Sequence, residues 1–122
     1  MMNYESVEEH GSQIRPGVKF FVYRMSFGRR IDLMRRVRDL APRLECFQAG
    51  TTPADRIEAG LISAEIDRLY LDWGLREVRG LEIDGEPAVP QSLGDQGPEE
   101  LFLEALRLVK HACGLSENEA KN

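Results

Sequence analysis

With 122 residues, 42% of them hydrophobic and 30% charged, the chain has the make-up of one modest globular domain. No stretch approaches the ~18 apolar residues of a membrane span, and the acidic, polar opening MMNYESVEEHGSQ lacks the form of a secretory signal. The net charge of -5 is unevenly spread: residues 15–43 hold nine bases against Asp32 and Asp39, whereas residues 44–122 hold seven bases against sixteen acids. Such segregation suits either two mutually neutralising faces of one fold or an oriented contact with a partner.

Residues 1–16 show no apolar periodicity and end at Pro16, which predicts a flexible acidic tail ahead of a single globular domain over 17–115. The segment VKFFVYRMSF, Val18 to Phe27, is rich in β-branched and aromatic residues and reads as a strand. Phe20 and Val22 face one way, while Phe21, Tyr23, Met25 and Phe27 form a second apolar face that needs a cover. A helix is expected from Arg29 to Gln48, because Leu33, Val37, Leu40, Leu44 and Phe47 recur at spacings of 4, 3, 4 and 3. Pro42 has no amide proton for the Arg38 carbonyl and predicts a kink or break there.

Thr52-Pro53 opens a second helix, with a capping hydroxyl, a proline suited to the first turn and Asp55 three residues after the threonine. Ile62, Ile66, Leu69 and Trp73 carry its core stripe to Gly74, and Ile57, Leu61 and Tyr70 widen that face. REVRGLEI and EPAV flank Asp84-Gly85, a strong hairpin dipeptide, and residues 18–27 are expected to pair with 76–90 in one sheet. PQSLGDQGPEE reads as a loop. A third helix starts at Pro98, with Glu99 and Glu100 near its positive end and Phe102, Ala105, Leu106, Val109 and Cys113 facing inward. Gly114 and Leu115 suit a helix stop, and 116–122 a frayed C-terminal turn. The expected fold class is α+β, mainly α-helical, with three main helices and a small antiparallel β-sheet or hairpin.

No catalytic constellation emerges. His10 and His111 lack a metal-ligand spacing, and Cys46 and Cys113 form no CxxC pair. Free thiols suit a reducing compartment, with a disulfide between the two as the alternative. Neither a glycine-rich phosphate loop nor a calcium loop is present, so no catalytic residue, cofactor or metal site is expected. Arg29, Arg30, Arg35 and Arg36 offer phosphate contacts as an alternative. Asp32 and Asp39 interrupt that patch, and no aromatic residues interleave with it as a stacking platform.

DRLYLDWGL, VRGLEIDGEPAVPQSL and GPEELFLEALRLVKHACGLSENEAKN together resemble the small tail assembly chaperones of bacteriophages over about residues 60–122. In that family a tryptophan leads into a W-x-G-V … DGEP hairpin, a Ser/Thr loop and a terminal helix. Here Trp73, Gly80, Asp84, Gly85, Glu86, Pro87, Ser92 and Pro98 take those places. Leu75 to Arg79 intervene before the glycine, and the arginine-rich helix departs from the family pattern. The resemblance implies a non-catalytic protein of the host cytoplasm, absent from the mature virion. Its partners would be the tape-measure protein and the tail tube protein, with a homo-oligomer as a further option and no membrane contact. Trp73, Leu81, Ile83, Asp84, Gly85 and Pro87 would form a structural hairpin, and Phe21, Tyr23, Met25, Ile31 and Met34 the partner-binding surface. A phage head–tail connector and a small nucleic-acid-associated regulator are the alternative functions.

Overall fold

Phe20 and Val22, neither with any exposed surface, anchor a three-stranded antiparallel sheet in the computed structural model, which describes residues 1–114. Its strands are β1 (Val7–Gly11), β2 (Lys19–Tyr23) and β3 (Leu75–Arg79), in the order β1-β2-β3. Phe20 pairs with Val78 and Val22 with Leu75, and the register shifts between Phe21 and Val22. Residues three apart in a regular strand point to opposite faces; the shift lets Leu75 and Val78 both turn inward, at 2% and 6% exposure.

The segment expected as a flexible tail therefore contains an edge strand. Alternation is hard to see in VEEHG because its two core-side positions are polar: Glu8 lies opposite Val22 and His10 opposite Phe20. The pair is made tolerable by a 2.9 Å contact between His10 Nε2 and Glu8 Oε1. That bond, with a second from Arg24, holds the Glu8 carboxyl below its ordinary value against the opposing effect of burial. Beyond β1, the Ser12 hydroxyl and the Gln13 amide donate to the Glu104 carboxylate at 2.6 and 2.8 Å. Glu104 is only 6% exposed, so its two donors offset the cost of burying a carboxylate and tie the β1–β2 loop to the last helix.

The helix expected over 29–48 is two helices, α1 (Phe27–Val37) and α2 (Ala41–Gln48). The break falls at 38–40, and Pro42 sits in the first turn of α2, where its missing N–H leaves no internal bond unmade. Then α3 (Pro53–Gly74) starts as its sequence predicts, with the Thr52 hydroxyl accepting from the Asp55 amide and the Asp55 carboxylate accepting from the Thr52 amide. Of the 76–90 segment only 76–79 joins the main sheet, as part of β3. The rest forms its own two-stranded hairpin, β4 (Glu82–Ile83) and β5 (Glu86–Pro87), turned by Asp84 and Gly85 at φ 53° and 82°.

The stretch read as a loop after Val89 contains a short helix, α4 (Pro90–Gln96). Pro90 pre-sets its first turn, the Val89 amide donates to the Ser92 hydroxyl, and Leu93 is fully buried beneath it. Finally α5 (Glu99–Ala112) lays Leu101, Ala105, Leu106 and Val109 into the core. Gly74 lies so close to Val109 that a side chain there would collide with it, which lets the end of α3 approach α5. The described residues thus hold five helices rather than three, and the frayed turn expected over 116–122 lies outside them. Among the described residues no helix is long and apolar enough to cross a membrane.

Candidate interaction surface

Trp73 ends α3 and joins it to α1. Its indole N–H donates to Asp32 Oδ2 at 3.1 Å, and the same oxygen accepts Arg36 Nε at 2.9 Å. The Arg29 guanidinium lies 4.2 Å from the Trp73 ring centroid and 4.1 Å from that of Tyr23. Arg29 Nη2 also donates to the Trp73 carbonyl, one of the carbonyls left without an amide partner where α3 ends. A cation at that negative helix end is favourable, and two aromatic faces add cation–π attraction. Burial lowers the Arg29 pKa from its ordinary value, opposed by Tyr23 and Asp32, while its Nε proton is buried without a partner.

This node fixes which side of α1 looks outward. Leu33 is buried on the inner side, whereas Phe27 and Met34 are 85% and 58% exposed. Phe27, Ile31 and Met34 follow at spacings of four and three, so they share one stripe, with Ile31 half-buried. Arg30 and Arg35 are exposed on its two flanks and Arg38 at its C-terminal end, one turn beyond Met34, and none forms an ion pair among the described residues. A second exposed apolar pair, Ile57 and Leu61 at 64% and 54%, lies one turn apart on α3. Ile62 is buried on that helix, apart from the main core cluster, and α2 is the element that packs most extensively on α3.

The structure divides the residues expected to bind a partner. Ile31 and Met34 belong to the outer stripe. Phe21, Tyr23 and Met25 do not form a spare face: Arg79 covers Phe21 at 4.6 Å, Arg29 covers Tyr23, and Met25 packs on the core. The phosphate-contacting set divides likewise. Arg29 is turned inward and Arg36 is engaged by Asp32, leaving Arg30 and Arg35 outside, joined by Arg38. Of the residues read as a structural hairpin, Trp73 lies in α3 rather than in the hairpin and is 7% exposed, while Leu81 and Ile83 pack against the core. Asp84, Gly85 and Pro87 are exposed turn and edge positions.

Ile57 and Leu61 were missed as surface residues because an apolar residue at helical spacing reads as core until its neighbours are known, and Phe27 because it reads as the end of the preceding strand. Cys46 is exposed and Cys113 buried, both as free thiols, and burial raises the Cys113 pKa. A shallow cleft of about 220 Å³ between β1 and α5 is lined by His10, Gln13, Glu104 and Arg107, but its central carboxylate is already satisfied by Ser12 and Gln13. Among the described residues no group of three His, Cys, Asp or Glu side chains is placed to hold a metal ion. Comparison with models of known protein families, with curated proteins and with solved structures gave no match.

Proposed function

We propose that the protein is a non-catalytic tail assembly chaperone of a phage or prophage, which covers apolar helical stripes of a tape-measure protein until tube subunits replace it. The observation that carries this reading is the outward stripe of α1, where Phe27 and Met34 stand exposed beside arginines that form no ion pair among the described residues. Isolated exposed apolar residues are ordinary, but a helical stripe of them held outward by a built anchor is the form of a helix-binding surface. The resemblance of residues 60–122 to the tail chaperones supports the same reading, and its tryptophan is the residue that holds α1 in place. Binding one helix segment per copy is weak, and many copies along one long chain supply the avidity while leaving each copy displaceable.

The test is co-expression with a long helix-rich tape-measure protein of a tailed phage. The tape-measure protein is expected in the soluble fraction bound to this chain, and in the pellet when it is expressed alone. If it is equally insoluble with and without this chain, the reading is wrong.

A second reading is favoured by Arg30, Arg35 and Arg38, which lack acidic partners among the described residues. They would contact the phosphates of a nucleic acid. The apolar residues between them and the overall charge of -5 weigh against it. Submicromolar binding to duplex DNA that weakens steeply with salt would establish it in place of the chaperone.

A further inference from the structure

The two exposed apolar stripes carry opposite charge. On α1 the stripe of Phe27, Ile31 and Met34 is flanked by Arg30 and Arg35 and ends at Arg38. On α3 the stripe of Ile57 and Leu61 has Glu58 and Glu65 beside it, both exposed and neither in an ion pair among the described residues. On a helix, positions 58 and 65 fall on the same flank of the 57–61 line, since seven residues make nearly two turns, while Arg56 falls on the other. The N-terminal part of α3 is thus an apolar ridge with an acidic margin, and α1 an apolar ridge with basic margins.

From this complementarity we infer that the α1 stripe of one copy docks on the α3 stripe of a second copy. Apolar residues from the two helices interdigitate along the contact, and its edges set guanidinium groups against carboxylates, which gives the contact its orientation. Arginine suits this margin because its planar fork bonds a carboxylate through two N–H groups. The contact joins two different patches, so a pair of copies retains one unused stripe of each kind unless a ring closes. Self-association covers the same α1 stripe that the proposed function assigns to the tape measure. Where α1 is engaged in this way, a tape-measure helix must displace the neighbouring copy before it can bind.

Sedimentation of the full-length chain and of two surface variants tests the contact. Met34→Asp and Leu61→Asp each place a charge in the middle of one stripe, at side chains 58% and 54% exposed, so both should keep the wild-type circular dichroism and unfolding midpoint. The wild type is expected to associate at or below about 100 µM, more weakly at high salt, and each variant alone to stay monomeric there. An equimolar mixture of the two variants should form a heterodimer that grows no further. That mixture holds one intact α1 stripe, on Leu61→Asp, and one intact α3 stripe, on Met34→Asp.

A monomeric wild type, association that survives in either variant, or a mixture that stays monomeric each overturns the inference. Retention of a tape-measure protein is read separately with Leu61→Asp, which keeps its α1 stripe. If that variant is monomeric and still retains the tape measure, both ideas stand. If the wild type associates as described but no tape measure is retained, the self-contact survives and the chaperone reading fails.

Discussion

The segment from Leu71 to Cys113 and the segment from Phe27 to Gln48 invest their apolar residues in opposite ways. The first supplies Leu71, Trp73, Leu75, Val78, Ala88, Leu93, Leu101, Ala105, Leu106, Val109 and Cys113 to the buried core. The second supplies only Leu33, and α2 has no buried residue at all. Since buried apolar area is the main source of stability, the first segment makes the fold and the second is carried by it. What fixes α1 is one polar and aromatic node rather than a large apolar face. An element held in this way is free to keep its other side for a partner.

Trp73 is the residue shared by the two regions, and changing it should do the most damage. Trp73→Ala is expected to cost about 3–5 kcal/mol through the cavity it leaves and to release α1. Urea unfolding would measure the first effect and amide exchange in α1 the second. Gly74→Ala, next to it, acts on the core region alone: its methyl group meets Val109, and overpacking of that kind costs about 1–3 kcal/mol. Exchange in α1 should change little more than exchange in α5.

Arg29→Lys acts mainly on the carried region. The ammonium group keeps the charge but cannot lie flat between Tyr23 and Trp73, so a loss of about 1 kcal/mol is expected, concentrated in α1. Equal acceleration of exchange throughout the molecule would show that the node belongs to the core rather than to α1. The smallest effect concerns β1. Glu8 has a folded pKa below its ordinary value, so its contribution is present above the unfolded pKa and is lost as the pH falls through the folded one. Glu8→Gln should remove that part of the acid-side decline in the unfolding midpoint; an unchanged pH profile would show that the His10 bond contributes nothing.

The parts of this architecture that were legible in the sequence are those written in local chemistry. Thr52 and Asp55 cap α3, Asp84-Gly85 turns the hairpin, and the face of α5 is regular enough to place Leu106 and Val109 inward. Elements whose pattern is set by distant partners were hidden. β1 carries glutamate and histidine on its inner side, at the margin of the core where they satisfy each other. α4 is a single short turn-rich segment with one buried leucine, too brief for periodicity to register.

The surface was legible only in part for the same reason. Ile31 and Met34 stand out beside arginines in the sequence, but Tyr23 and Phe21 look equally spare until Arg29 and Arg79 are seen to cover them. Nothing local reveals that Arg29, 44 residues before Trp73, binds the carbonyl of that residue. Ile57 and Leu61 fit the helix pattern of a core face, and only the absence of an element over them among the described residues makes them surface.

The most direct measurement compares partner retention and stability in Met34→Asp. If α1 works through its outer stripe while the rest of the molecule makes the fold, this variant should unfold at the wild-type urea midpoint yet leave a co-expressed tape-measure protein in the pellet. A variant that still keeps the tape measure in solution, or that loses it only because the chain itself unfolds, would contradict that division of labour.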